Sequence, residues 1–242
     1  MAVIDLKVKD LYPVLKPTVV KIESEGVLNP QTANRIGYEF LHDVKAVRDA
    51  HNNKSVPPFA IKKLQRNSFE LHIMIPVSET ALYIHAERMG VKIYSIEYPK
   101  FNIPSVYNVE GVDIIFTSPT SFRWDQKHIP YFESLLFWRS CLKLWSLFTG
   151  HKIEEQDRMV NVLAAEVYTV FTDLNIVRYE IMGKKVFYKG FKGSVQLAFS
   201  EALSSESKVF ILTLLHSAAH TGVGIKRAWG MGNLEWQPVS GI

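Results

Sequence analysis

An eleven-residue run near the C-terminus combines the residue types that bind a polyanion. It reads Gly-Val-Gly-Ile-Lys-Arg-Ala-Trp-Gly-Met-Gly and spans residues 222–232. Glycine accepts positive φ angles and lets backbone N–H groups approach phosphate oxygens, while Lys226 and Arg227 supply neutralising charge. The predicted phosphate-binding glycines are Gly222, Gly224, Gly230 and Gly232. A glycine-rich turn between a helix and a last strand is the structural alternative.

Two better-known phosphate motifs do not fit this run. A dinucleotide-binding loop would need a third glycine where Arg227 stands, and too little chain follows for a βαβ unit. A Walker loop would need Gly-Lys-Ser or Gly-Lys-Thr, and the sequence contains neither. The formal net charge of +4 and the pI near 9.0 add weak support for an acidic partner such as nucleic acid.

Composition limits the class of protein. The 242 residues, 47% of them hydrophobic and 21% charged, suffice for one large globular domain or two smaller ones. The single cysteine, Cys141, excludes an internal disulfide and a multi-cysteine metal site, and its apolar neighbours predict a buried thiol. We expect no metal or other cofactor. The sequence shows no signal pattern or membrane-length apolar stretch, so a cytoplasmic protein without membrane contact is expected.

Hydrophobic periodicity predicts a βαββαβ order in the first half, which is the ferredoxin-like unit. The predicted elements are a strand from Val3 to Val8, a helix from Thr32 to Ala50, strands from Phe59 to Leu64 and Phe69 to Ile75, a helix from Ser78 to Met89, and a strand from Val91 to Tyr98.

A second copy is predicted in the other half, with an additional helix inserted from Gly150 to Ala165. Its elements are a strand from Val112 to Phe116, a helix from Tyr131 to Leu147, strands within Asn175–Phe199 turned at Gly183 and broken at Gly190, a helix from Lys208 to His220, and a strand from Leu234 to Trp236. The predicted fold is therefore α+β, with two tandem ferredoxin-like domains over residues 1–108 and 109–242.

Four further stretches make the glycine-rich run more specific. They are Ala50–Leu64, where a histidine leads into a Pro-Phe strand, Phe116–Arg123 (Phe-Thr-Ser-Pro-Thr-Ser-Phe-Arg), Tyr188–Gly193 (Tyr-Lys-Gly-Phe-Lys-Gly) and Thr221–Leu234. In this order they resemble the RAMP superfamily and, within it, the CRISPR repeat-processing endoribonucleases. The resemblance implies a metal-independent cut in precursor CRISPR RNA by a ribose 2′-hydroxyl, which leaves a 2′,3′-cyclic phosphate.

Such a cut needs a base, an acid and a stabilising cation. By resemblance, His51 falls at the catalytic histidine position, Tyr38 at the family's tyrosine and Lys54 in the same loop, while Pro57 replaces the usual lysine. His42 lies one turn after Tyr38 and is the alternative histidine. We expect His72 and His85 to be structural, His128 and His151 to lie in loops, and His216 and His220 to lack a third metal ligand.

The predicted RNA contacts are cationic. Lys226 and Arg227 are expected to hold phosphates because two cations in a glycine run have little packing to do. Further candidates are Arg123, Lys62 and Lys63, each with a solvated-surface alternative, and Lys189 and Lys192, which flank Gly190 and are expected along the same groove. Trp229 suits base stacking or the core. The resemblance implies CRISPR repeat RNA as partner, with interference-complex subunits and a homodimer as further candidates. A non-catalytic RAMP subunit that binds RNA is the rival function.

Overall fold

A computed structural model describes residues 13–42, 44, 56–101, 106, 108–180 and 187–240. The first half forms a four-stranded antiparallel sheet in the order β2-β3-β1-β4. Its elements are β1 (Thr18–Ser24), α1 (Pro30–Phe40), β2 (Phe59–Lys62), β3 (Ser68–Ile73), α2 (Glu79–Met89) and β4 (Val91–Glu97). This is the ferredoxin-like order, and β1 supplies its first strand. The strand predicted at Val3–Val8 lies outside the described residues.

Helix α1 begins with a side-chain N-cap and ends earlier than its apolar spacing predicts. Its N-cap, Asn29, accepts a hydrogen bond from the Thr32 N–H at 2.9 Å through its side chain, and Pro30 occupies the first turn. The prediction that the helix continues through Leu41 and His42 is wrong, and its predicted part at residues 43 and 45–50 lies outside the described residues. The Leu41 N–H bonds to the Tyr38 carbonyl, three residues back, which tightens and closes the last turn. Apolar spacing alone cannot reveal such a closure.

The second half repeats the arrangement, with the sheet order β10-β5-β9-β8 and antiparallel neighbours throughout. Its elements are β5 (Gly111–Thr120), the hairpin β6 (Phe122–Trp124) and β7 (Lys127–Ile129), α3 (Ser134–Thr149), α4 (Gln156–Glu166), β8 (Val167–Glu180), β9 (Phe187–Phe199), α5 (Ser205–Thr221), a 3-10 turn (Arg227–Trp229) and β10 (Leu234–Val239). The two predicted ferredoxin-like units and the inserted helix are confirmed. The division at residue 108 falls between the sheets and stays a prediction.

Two strand predictions need correction. Gly190 does not break a strand, because it lies inside β9, where a Cβ would sit 2.7 Å from the Thr120 carbonyl oxygen. The glycine thus permits β9 to approach the end of β5. Strand β8 begins at Val167, well before the predicted start, and its residues 168–173 are all exposed. A strand exposed on both faces lacks the alternation on which the prediction depends.

Each half has its own apolar core, and the C-terminal loop joins them. Trp138, Cys141 and Trp145 of α3 are buried in the second core, which confirms the buried thiol. Ala228, from the glycine-rich run, is buried in the first core. Its carbonyl accepts from Asn34 Nδ2 at 2.7 Å. Within the described part of the chain, no helix has the length and apolarity that a membrane span requires.

Candidate nucleic-acid interface

The glycine-rich loop (residues 222–232) is folded by its glycines against other parts of the protein. All four glycines have positive φ, from 68° at Gly222 to 82° at Gly230. A Cβ on Gly224 would lie 2.3 Å from the Ser121 carbonyl oxygen, and one on Gly232 would lie 1.9 Å from that of Val223. Side chains are therefore excluded at these two positions by backbone atoms that have no room to move.

The N–H groups of the loop glycines already have protein acceptors. Gly222 donates to the Ala218 carbonyl, Gly230 to that of Arg227 and Gly232 to that of Pro119. The Gly224 N–H donates to Ser140 Oγ on α3 at 2.8 Å. The structure thus gives these glycines a folding role, in agreement with the turn alternative. Their contact with RNA stays a prediction and cannot use these N–H groups while the loop keeps this fold.

The two loop cations lie in different environments. Lys226 is exposed, with positive φ, and its Nζ lies 5.5 Å from the ring centre of Tyr188 and 5.9 Å from that of Trp229. Arg227 is buried, and its guanidinium donates to the Thr221 carbonyl at 2.6 Å. Burial lowers the pKa of Arg227 to about 10. The expectation that neither cation has a packing role is therefore wrong for Arg227.

A cleft of about 830 Å³ lies between the two halves beside Lys226. Four parts of the chain form its walls: α1 with the segment before β2, the β6–β7 hairpin, one face of α3, and the glycine-rich loop. The lining residues are Tyr38, Val56, Pro57, Phe122, Arg123, His128, Leu136, Arg139, Ser140, Lys143, Leu147, Gly224, Ile225, Lys226, Arg227, Ala228 and Trp229. The cleft brings together Tyr38, Arg123 and the loop cations, which are far apart in sequence.

The cleft wall is positively charged. Arg123, Lys143 and Lys226 are exposed on it, Arg139 is partly exposed, and no aspartate or glutamate occurs among the described lining residues. Such a wall attracts a polyanion, and the attraction is strongest where several cations act on neighbouring phosphates. Trp229 is half-buried and also lines the cleft. It therefore combines the two predicted alternatives, since it packs on the first core and faces the cleft.

The structure describes one of the three predicted catalytic residues. Tyr38 lines the cleft, its ring meets Phe59 edge-on at 5.1 Å, and burial raises the pKa of its hydroxyl. His51 and Lys54 lie outside the described residues. Val56, which follows that segment, lines the cleft. An extended chain of five residues spans at most about 18 Å, so this is the largest distance that the sequence allows from Val56 to His51.

Four further predicted RNA contacts do not line the cleft. Lys189 is exposed and Lys192 partly exposed on β9. Lys63 is exposed, with its Nζ 3.2 Å from Glu70. Lys62 is buried, which corrects the solvated-face alternative, and its Nζ has no hydrogen-bond partner among the described residues.

The Lys62 ammonium lies in an unusual environment. Burial lowers its pKa to about 7, and the positive charge of Arg227 adds to this effect, while Glu70 and Glu235 oppose it. A strongly shifted lysine marks either a functional site or a structural compromise. Lys62 lies where β2 contacts the 3-10 turn of the loop, at the junction between the two halves.

Three histidines form a cluster across the same junction. His72 on β3 and His220 on α5 approach each other at 3.0 Å between their Nδ1 atoms, and His72 Nε2 lies 3.1 Å from Glu70. Burial lowers the pKa of His216 to about 4 and that of His220 to about 2. Neutral imidazoles therefore join the halves. The described residues contain no group of three or more potential metal ligands.

Sequence reasoning missed several cleft residues. Arg139 and Lys143 lie one turn apart on α3, in a stripe with Leu136 and Leu147 that faces the cleft. Their i, i+4 spacing is the sequence signal that places them on one face of the helix. His128, which the sequence predicts in a loop, lies on β7, lines the cleft and faces Tyr188, with 5.4 Å between ring centres.

Comparisons with known proteins agree with this arrangement. One solved Cas6, a product complex, has 20% identity and a TM-score of 0.69 and covers 93% of this chain and 100% of its own. A Thermus thermophilus Cas6 has 17% identity and a TM-score of 0.66, with 94% and 100% covered. A partial Cas6-RT-Cas1–Cas2 complex has 11% identity and a TM-score of 0.60, with 94% and 46% covered. At these identities, the likeness establishes the fold.

A family model establishes more than the fold. Comparison with curated protein sequences gives no match. The family model described as CRISPR-associated endoribonuclease Cas6 matches residues 114–234, which is half of the chain and includes the hairpin, α3 and the glycine-rich loop. The chain therefore belongs to the family of CRISPR-associated endoribonucleases, Cas6.

Proposed function

We propose that this protein cuts precursor CRISPR RNA within its repeats, without a metal ion, by attack of a ribose 2′-hydroxyl on the adjacent phosphate. The proposal depends on the residues that line the cleft. Cations from the hairpin, α3 and the loop converge on it, and its described lining holds no carboxylate and a single histidine, His128. Proton transfer with charge stabilisation needs a base, an acid and cations near the phosphate, and the cleft supplies the cations.

The proposed reaction is an internal transfer. The 2′-oxygen forms a bond to phosphorus as the bond to the 5′-oxygen breaks, a base takes the 2′-hydroxyl proton, and an acid protonates the leaving oxygen. His51 suits either proton role because an unperturbed imidazole titrates near pH 6.5. We assign Tyr38 to orienting or protonating an oxygen from the cleft wall, and Lys54 to stabilising the transition-state charge.

Binding follows from the same surface. We propose that Lys226 and Arg123 hold phosphates along the cleft, and that Lys189, Lys192 and Lys63 continue the contact outside it. Arg227 supports Lys226 by fixing the loop, through its bond to the Thr221 carbonyl. Lys62 is buried, so we assign it no direct contact with RNA. The two domains, 1–108 and 109–242, would thus grip the RNA from opposite sides.

The rival function is an RNA-binding RAMP subunit without activity. The family favours the enzyme, because the family model that matches the chain is that of the CRISPR-associated endoribonucleases, Cas6. Association with interference-complex subunits and homodimer formation remain proposals. The solved Cas6-RT-Cas1–Cas2 complex joins a Cas6 to other CRISPR proteins. We place the activity in the cytoplasm, where precursor transcripts are made.

The test is cleavage of the repeat RNA of the protein's own host in excess EDTA, followed by end-group analysis. We expect full cleavage and an upstream fragment that ends in a 2′,3′-cyclic phosphate. An absolute requirement for Mg²⁺ or Mn²⁺ would overturn the proposed chemistry. Tight binding without cleavage under every condition would favour the non-catalytic RAMP subunit.

A further inference from the structure

The β6–β7 hairpin presents an exposed tryptophan at the rim of the cleft. Trp124 is 51% exposed, and the guanidinium carbon of Arg139 lies 4.7 Å from its ring centre. Arg139 itself lines the cleft. A guanidinium at this distance from an indole is a cation–π contact, which holds the ring while about half of the residue stays exposed. Isolated exposed apolar residues are common, so exposure alone does not make Trp124 a binding residue.

The hairpin that carries Trp124 has a defined shape. Its two-residue turn, Asp125-Gln126, has positive φ at both positions, 43° and 64°, which is the type I′ geometry that suits a tight hairpin. The Arg123 guanidinium donates to the Gln126 side chain across this turn. Arg123 pairs with His128, and Trp124 with Lys127, in the strand register. The indole is thus held on a short, braced element.

The surroundings of Trp124 fit an RNA strand. Arg139 Nε is buried without a hydrogen-bond partner among the described residues, and Lys143 follows one turn later on the cleft wall. Two carboxylates lie near, Asp125 in the turn and Asp157, whose Oδ1 is 3.3 Å from Arg139. Asp157 is 86% exposed, so solvent screens this ion pair strongly. Cations interleaved with an aromatic ring favour a nucleic acid over a protein partner.

We propose that Trp124, braced by Arg139, stacks on one unpaired base of the repeat RNA where the strand leaves the cleft. Arg139 and Lys143 would hold the flanking phosphates. This site rests on the proposed function, because it needs RNA in the cleft. It adds a contact to a single nucleotide, which phosphate binding by the loop does not supply.

The test measures binding of repeat RNA that carries one 2′-deoxy substitution at the scissile nucleotide, which blocks the proposed cut. The variants are Trp124→Ala, Trp124→Phe and a control, Tyr94→Ala, whose side chain is 70% exposed on β4. Base–aromatic stacking predicts about a 5- to 150-fold loss of affinity for Trp124→Ala. Trp124→Phe should lose less, and Tyr94→Ala should bind like the wild type.

A scan with abasic RNAs separates stacking from general damage. One abasic position should weaken wild-type binding about as much as Trp124→Ala does, and should add little in that variant. Wild-type affinity in Trp124→Ala, or an equal loss at every abasic position, would overturn the stacking site. If only a protein partner loses affinity for the variant, the surface is a protein interface instead. Failure of wild-type protein to bind any repeat RNA would instead reject the proposed function.

Discussion

Replacing Lys62 by methionine tests the buried charge at the junction of the two halves. The Lys62 ammonium is buried and unpartnered among the described residues, and Arg227 lies close enough to repel it. Methionine keeps most of the length of the side chain and removes the charge. We therefore expect Lys62→Met to raise the free energy of unfolding at neutral pH.

The size of the effect follows from the pKa. A decrease from 10.5 to about 7 corresponds to roughly 5 kcal/mol, at about 1.4 kcal/mol for each unit. This is an upper bound, because the protein relaxes around the charge and methionine also loses the attraction of Glu70 and Glu235. Replacement of buried ion pairs by apolar residues is neutral or gains about 1–4 kcal/mol in other proteins. We expect a gain in that range.

The lowered pKa of Lys62 also predicts how the stability difference between the wild type and Lys62→Met changes with pH. Between pH 7 and pH 10.5 the folded protein has released the Lys62 proton, whereas the unfolded chain still binds it. The unfolding free energy of the wild type therefore rises with pH relative to Lys62→Met. Urea unfolding at pH 7 and at pH 10 should show the advantage of the variant shrinking toward zero.

Lys63→Met is the matched control, since Lys63 is the next residue and its side chain is 62% exposed. It loses an ion pair with Glu70 in which the lysine is exposed and the carboxylate is largely buried, so it should lower stability, in contrast to the gain expected for Lys62→Met. A Lys62→Met protein that is less stable than the wild type, or whose advantage does not change with pH, would refute the reasoning.

Three further predictions concern activity, binding and the loop. His51→Ala should slow cleavage by about 10²- to 10⁴-fold and leave the repeat Kd within several-fold, in single-turnover and binding assays; full activity would move the role to another histidine. Lys226→Ala should lower the salt dependence of log K by roughly 0.7–0.9, whereas Arg227→Ala should chiefly lower the melting temperature; equal slopes in wild type and Lys226→Ala would remove that phosphate contact. Gly224→Val should destabilise the protein by more than about 2 kcal/mol in urea unfolding, because its Cβ would meet the Ser121 carbonyl oxygen at 2.3 Å; unchanged stability would contradict the loop geometry.

Much of the fold could be predicted because the buried elements repeat an apolar period. Strand β3 and helix α2, the latter ended by Gly90 with positive φ, were placed within a few residues. Strand β8 was placed late because its first residues are exposed on both faces. The early end of α1 was missed because it depends on a local hydrogen bond of Leu41.

The candidate site was predicted less completely, because it depends on contacts between distant residues. The sequence pattern predicts the same phosphate-binding role for Lys226 and Arg227, whereas the fold exposes Lys226 and buries Arg227. Lys62 occupies the last position of a short strand, and the glycine-rich loop and helix α5, both distant in sequence, contact that strand. Arg139 and Trp124 meet through tertiary structure, which no local pattern encodes.

A single 2′-deoxy substitution at the scissile nucleotide tests the central claim most directly. The 2′-oxygen is the proposed nucleophile, so this RNA should bind the protein as tightly as the matched all-ribose RNA does. It should remain uncut in the buffer in which the all-ribose RNA is cleaved. Cleavage of the 2′-deoxy RNA at the same position would contradict the account, because the nucleophile would then have to be water.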